Sequence, residues 1–187
     1  MARRPVALLV IALVVAACSG SDDGDDGESL GDTVAPTEVT APDIPAASPA
    51  GTGVVVVGGT SSSFAVTRCE LEPGVAEGAT TTLLVVTGAG TTGGGIPFEV
   101  EVQRIATGTA AAETFTDTVT YSDTARILQL QRFEVDGEVS DLRDPSARGT
   151  LLRVRPDGVS AAGLAGPPGT GGQFDEGIVG LALDATC

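Results

Sequence analysis

From Thr52 to Cys187 the apolar and polar residues of this chain alternate with a period of two, the pattern of strands that keep one face wet. It is cleanest at Phe98, Val100 and Val102, which fall on one side, with Glu99, Glu101 and Gln103 on the other. Similar runs at 54–57, 64–71, 80–87, 114–121, 150–155 and 178–185 predict further strands. Turn signals such as Asp136-Gly137 and Pro156-Asp157-Gly158 separate them. The stretch 127–135 reads two ways: Ser122 or Asp123 can cap a helix there, whereas Phe133 and Val135 ahead of Asp-Gly favour a strand. Regularly spaced strands with Gly-rich turns over these roughly 136 residues predict one all-β domain, an antiparallel β-sandwich or barrel-like fold around a single core.

Upstream the pattern changes twice. Residues 1–17 carry charge at Arg3 and Arg4, an unbroken apolar run over 6–15 and small residues at Ala16 and Ala17, the three-part build of an export signal. The run is shorter than the roughly 20 apolar residues that cross a bilayer. Val15-Ala16-Ala17-Cys18 resembles the lipobox of bacterial lipoproteins, which implies cleavage before Cys18 and a diacylglycerol on its thiol. Two acyl chains, at about 0.8 kcal/mol per buried methylene, suffice for stable anchoring, so the expected location is the outer face of a cell membrane. Residues 18–51 follow as the lipidated cysteine and a tether rich in Ser, Asp, Gly, Thr, Pro and Ala. Its eight carboxylates stand without a basic or aromatic residue. Such a segment buries too little to offset its ordering entropy and is expected to be disordered, spanning roughly 30 Å as a flexible coil. The acidic run from Asp22 to Glu28 lacks the spaced ligands of a calcium loop and reads as a solvated spacer.

Composition narrows the chemistry. Loss of Arg3 and Arg4 with the signal takes the formal charge from -15 to -17, which disfavours nucleic acid as a partner. All ten basic residues are arginine, and with abundant Ala, Gly and Val this points to a GC-rich, actinobacterial source. Without histidine or lysine there is no imidazole or amine to activate a serine or cysteine nucleophile. A zinc site is disfavoured, because only Cys69 and Cys187 remain once Cys18 is lipidated. No cofactor is expected, and carboxylates are the only conventional acid-base groups left.

In an exported protein Cys69 and Cys187 are expected to form a disulfide. A reactive thiol pair is the rival reading, though it lacks Cys-x-x-Cys spacing. Strict alternation sets Cys69 on the face of Ala65 and Thr67, and Cys187 at the end of a strand bearing Val179, Leu181, Leu183 and Ala185. The lipobox, the Thr/Ala/Pro/Gly tether, Val66-Thr67-Arg68-Cys69 and the closing Leu183-Asp184-Ala185-Thr186-Cys187 together resemble the mycobacterial 19 kDa lipoprotein antigen family. The resemblance implies a cell-envelope antigen or surface-binding module, anchored by lipid and stapled by one disulfide, and carries over no catalytic residue.

Three motifs compete with that reading. Gly88-Ala89-Gly90-Thr91-Thr92-Gly93 matches GxGxxG after a strand, yet Ile96-Pro97 leads into another strand and not the helix a dinucleotide site requires, so a Gly-rich hairpin loop is expected. Arg126, Arg132, Arg143, Arg148, Arg153 and Arg155 either grip an anion or answer Asp136, Glu138, Asp141, Asp144 and Asp157 nearby. Asp175-Glu176 would serve a carboxylate-based hydrolase or form a solvated turn. The leading expectation is a non-enzymatic, membrane-anchored module that binds an envelope or extracellular ligand. A carrier with an apolar or lipidic ligand between its sheets, lined by Leu84, Val86, Phe98 and Val100, is the alternative.

Overall fold

The computed structural model describes residues 39–109, 112–169 and 177–187, so the signal, Cys18 and most of the tether lie outside it. Among the described residues there are eleven strands: β1 (Thr52–Val57), β2 (Thr60–Glu70), β3 (Val75–Glu77), β4 (Thr80–Thr91), β5 (Pro97–Thr109), β6 (Ala112–Asp123), β7 (Ile127–Val135), β8 (Glu138–Asp141), β9 (Arg153–Arg155), β10 (Gly158–Ala165) and β11 (Val179–Thr186). They form one antiparallel sheet in the order β8-β7-β6-β5-β4-β2-β1-β11-β10-β9, with β3 paired to β4 beside β2. The sheet curls on itself as a half-barrel. Just past β10, Gly166 exchanges two backbone hydrogen bonds with Gln129 of β7, at 2.7 and 3.2 Å, so strands distant in the order meet across the curl.

The all-β expectation holds, in its barrel-like form. The ambiguous stretch 127–135 is strand β7. Asp123 does cap there, but it caps a turn: its carboxylate accepts the N–H groups of Ala125 and Arg126 at 2.8 and 3.0 Å. The same donors, Ala125 first, hold the Asp123 carboxyl below the usual carboxylate range. Between β7 and β8, Asp136 and Gly137 both take positive φ, 52° and 80°, the tight hairpin that an Asp-Gly pair favours. Strands β3, β8 and β10 were not legible as alternation. Strand β10, Gly-Val-Ser-Ala-Ala-Gly-Leu-Ala, is buried on both faces over most of its length, which removes the polar half of the pattern. The strand expected over 150–155 shrinks to β9, and Leu151 and Leu152 turn inward as a buried plug.

Registered rows build the inner face. Val86, Val102, Val119 and Leu130 stand opposite one another across β4 to β7, and Gly88, Val100, Tyr121 and Leu128 form the neighbouring row. Val55, Val57, Val159, Ala161, Leu181, Leu183 and Ala185 close the core from the far wall. Phe64 reaches across this interior because Gly53 and Gly88 carry no side chain: a Cβ on either would run into its ring. Gly163 likewise makes room for Leu130, whose Cδ1 would lie 2.7 Å from an added Cβ.

Two expectations change. A β-bulge between Val66 and Arg68 shifts the pairing of β2 with β4, so Cys69 does not share a face with Ala65 and Thr67. It joins Phe64, Val66 and Leu71 against the core. Residues 39–51, assigned to the tether, also belong with the domain. They run as an irregular strap along the side of β11 that faces away from the core. Thr40 and Pro42 cover Gly180, the Ser48 N–H donates to Asp184 at 2.9 Å, and the Gly51 N–H donates to the Thr186 carbonyl at 2.9 Å.

The disulfide sits where β1 runs out. Thr52 pairs with both Ala65 of β2 and Thr186 of β11. There β11 ends while β2 runs on to Glu70, and Cys69 bonds to Cys187, the residue after Thr186, with their Cα atoms 5.8 Å apart. Two sheet spacings would separate the strands by roughly 9.6 Å, so the bond draws the seam closed. It also spans 118 residues. Replacing both cysteines by serine is therefore expected to lower unfolding stability by about 4 to 5 kcal/mol in the chain-entropy model, read from urea denaturation of oxidised and substituted proteins. A loss under about 1 kcal/mol would show that the seam holds without the bond.

Candidate functional site

Past the Val86–Leu130 row the inner wall changes character. The next row reads Leu84, Arg104, Asp117, Arg132 and Asp141 across β4 to β8, each opposite the next. Four charges of alternating sign thus line the end of the curl on the core side. Arg104 donates through Nε and Nη2 to both oxygens of Asp117, at 2.6 and 2.8 Å. Arg132 donates through Nε and Nη2 to Oδ2 of Asp141, at 3.3 and 3.2 Å. Asp141 is capped further by the N–H groups of Arg143 and Asp144 on its Oδ1. The hydrogen bonds it donates to Asp117 keep the Arg104 guanidinium more basic than usual, against the opposing effect of burial.

This ladder positions the loop that follows β8. The Leu152 N–H donates to Asp117 at 3.2 Å, and Arg132 Nη1 donates to the Gly149 carbonyl at 3.1 Å. Those bonds turn Leu151 and Leu152 into the end of the core. Buried charges cost several kcal/mol each to desolvate, and here every carboxylate meets both an arginine and a backbone N–H, the arrangement that offsets the cost.

Beside Arg104 the mouth of the curl stays open. A cleft of about 430 Å³ is lined by Leu71, Glu72, Gly74, Leu83, Leu84, Arg104 and Val154. Its walls are mostly apolar. Leu71 follows the disulfide-bonded Cys69 by two residues, so the bond steadies that wall. Asp117 takes one N–H each from Nε and Nη2, so the remaining N–H groups of the guanidinium are left to serve the cleft. The mouth of a β-barrel is a common ligand position, and this volume lies within the usual range for small-molecule pockets.

The other sequence candidates fall elsewhere. Cys69 and Cys187 meet as a disulfide, while Cys18, Asp175 and Glu176 lie outside the described residues. The carrier lining is corrected: Val86, Phe98 and Val100 are buried in the core, where Phe98 stacks on Tyr121 at 5.3 Å, and Leu84 alone reaches the cleft. Gly88 and Gly90 of the GxGxxG match are strand residues packed against Phe64 and Phe98, and only the hairpin after them is loop. Three of the six late arginines form ion pairs with acids, though not always the nearest ones. Arg132 pairs with Asp141, Arg126 with Asp123, and Arg155 with Asp157 at 3.5 Å and with buried Asp184 at 2.6 Å. Arg143 and Arg148 donate to backbone carbonyls.

Arg104 and Asp117 were missed, yet both left a signal. Arg104 continues the parity of Phe98, Val100 and Val102, and Asp117 sits between Phe115 and Val119 on the inward parity of β6. A charge at an apolar phase marks a buried ion pair or the end of a core. Among the described residues no three of His, Cys, Asp and Glu are grouped to hold a metal ion. Comparison with family models, with curated proteins and with solved structures finds no match to this chain.

Asp141→Ala strands Arg132 in the interior and frees the loop. It is expected to cost about 3 kcal/mol by urea denaturation and to speed tryptic cleavage after Arg148. Unchanged proteolysis in a destabilised variant would mean that the ladder supports the sheet without controlling the loop.

Proposed function

We propose that the chain is a lipid-anchored binding module on the outer face of a cell membrane, with no catalytic role of its own. The observation that carries this reading is the cysteine pairing. With Cys69 bound to Cys187, the third cysteine, Cys18, is left alone at the end of an apolar run and inside a sequence that resembles a lipobox. A disulfide across 118 residues suits an oxidising compartment, which is where an exported chain folds. The residue inventory supports a binding role, since without histidine and lysine the usual activated nucleophiles have no base.

The carrier reading has one observation in its favour, the cleft at the open mouth of the curl. Its place differs from that expected from the sequence, because the space among Val86, Phe98 and Val100 is filled by the core.

Metabolic labelling with an alkyne-bearing palmitate tests the anchor. Cells expressing the chain are expected to yield a labelled, membrane-bound protein, and Cys18→Ser should abolish the label and leave the signal uncut. A secreted, unlabelled product starting downstream of Cys18 would overturn the anchored reading.

A further inference from the structure

We propose that the open mouth beside Arg104 binds a small, neutral, mostly apolar molecule carrying one carbonyl or ester oxygen. The walls supply the apolar part: Leu71, Leu83, Leu84 and Val154 face a space of about 430 Å³, room for roughly 14 groups of water size at about 30 Å³ each. Val154 lies 43% exposed at its rim, an apolar side chain left to solvent where the neighbouring inward residues are covered.

The polar part is one guanidinium group. Asp117 takes one N–H each from Nε and Nη2 of Arg104, which fixes the guanidinium plane and leaves its remaining N–H groups for a ligand acceptor. A donor already held in place loses little freedom on binding. Charge selects against an anion. Glu72 lines the cleft, Asp117 neutralises Arg104, and Glu134 also acts on it electrostatically, within a mature chain of net charge -17. An acid would bring its negative charge to a cation already more than balanced, whereas an ester or ketone needs only the hydrogen bond.

This inference rests on the domain being a binding module and is independent of the anchor. All pairing partners of the eleven strands and both bonded cysteines lie within 39–187. The test therefore uses residues 18–187 with Cys18→Ser behind a conventional cleavable export signal, so that the chain is exported without lipid. The fluorescent probe N-phenyl-1-naphthylamine, which brightens in apolar sites, is expected to bind saturably and to be displaced by methyl decanoate. Decanoate should compete about tenfold less well, and Val154→Asp should weaken the probe by a similar factor. Arg104→Lys keeps a cation for Asp117 but loses the remaining guanidinium N–H groups. It should weaken methyl decanoate by roughly 2- to 10-fold relative to the probe, the value of one hydrogen bond. If Val154→Asp fails to fold, Leu83→Asp tests the wall in its place. Absence of saturable binding, unchanged probe binding in a folded wall variant, or decanoate binding more tightly than its ester would each overturn the proposal. A chain that takes no palmitate yet shows the expected binding pattern loses the anchor and keeps the cleft.

Discussion

A single sheet has two faces, and here one of them is apolar with no second layer among the described residues to cover it. The sheet must bury that face against itself by curling, and every other feature of the domain follows from the need to keep the curl closed. Large aromatic residues, which fill space most effectively, are scarce at 3% of the sequence, so the interior is narrow and packed by Val, Leu and Ala. Glycines at 53, 88 and 163 let the walls approach the few large side chains present. Closure then takes a different device at each weak point: the Gln129–Gly166 bridge across the curl, the disulfide where β1 ends, and the Leu151–Leu152 plug at the charged end.

Ion pairs do at two places what apolar packing does elsewhere. Arg104, Asp117, Arg132 and Asp141 occupy inward positions where the core runs out, and they tie four strands to the returning loop. Arg155 and Asp184 act on the opposite side of the sheet. Asp184, 1% exposed, accepts from the arginine and from the Ser48 N–H, so the strap is fastened to β11 by a buried carboxylate. Removing the arginine from any of these three pairs leaves a buried carboxylate without its counter-charge, which makes these contacts specific as well as stabilising.

The two ends of β11 thereby acquire different roles. The strap reaches the domain near Gly180, while the disulfide and the cleft beside Leu71 lie at the Thr186 end, about 20 Å further along at 3.3 Å per residue. The strap thus enters the domain at the end of β11 remote from the cleft.

The sequence by itself determined the fold class, because a period of two survives wherever one face is wet and the other dry. Phe98 to Gln103 and Thr114 to Tyr121 read correctly for that reason. It also pointed to the bond partners among the cysteines, since reading Cys18 as part of a lipobox leaves one pair, the one that forms. Tertiary structure decided the rest. Strand β10 was invisible because burial on both faces erases alternation, and the strap was invisible because its composition is that of a linker and only Asp184, 136 residues away, retains Ser48. The bulge at Val66 reversed the face of Cys69, which strict alternation cannot foresee. The cleft depended on where the curl ends: Leu84 and Val86 have the same chemistry and parity and are both buried in the core, and of the two only Leu84 also borders the cleft.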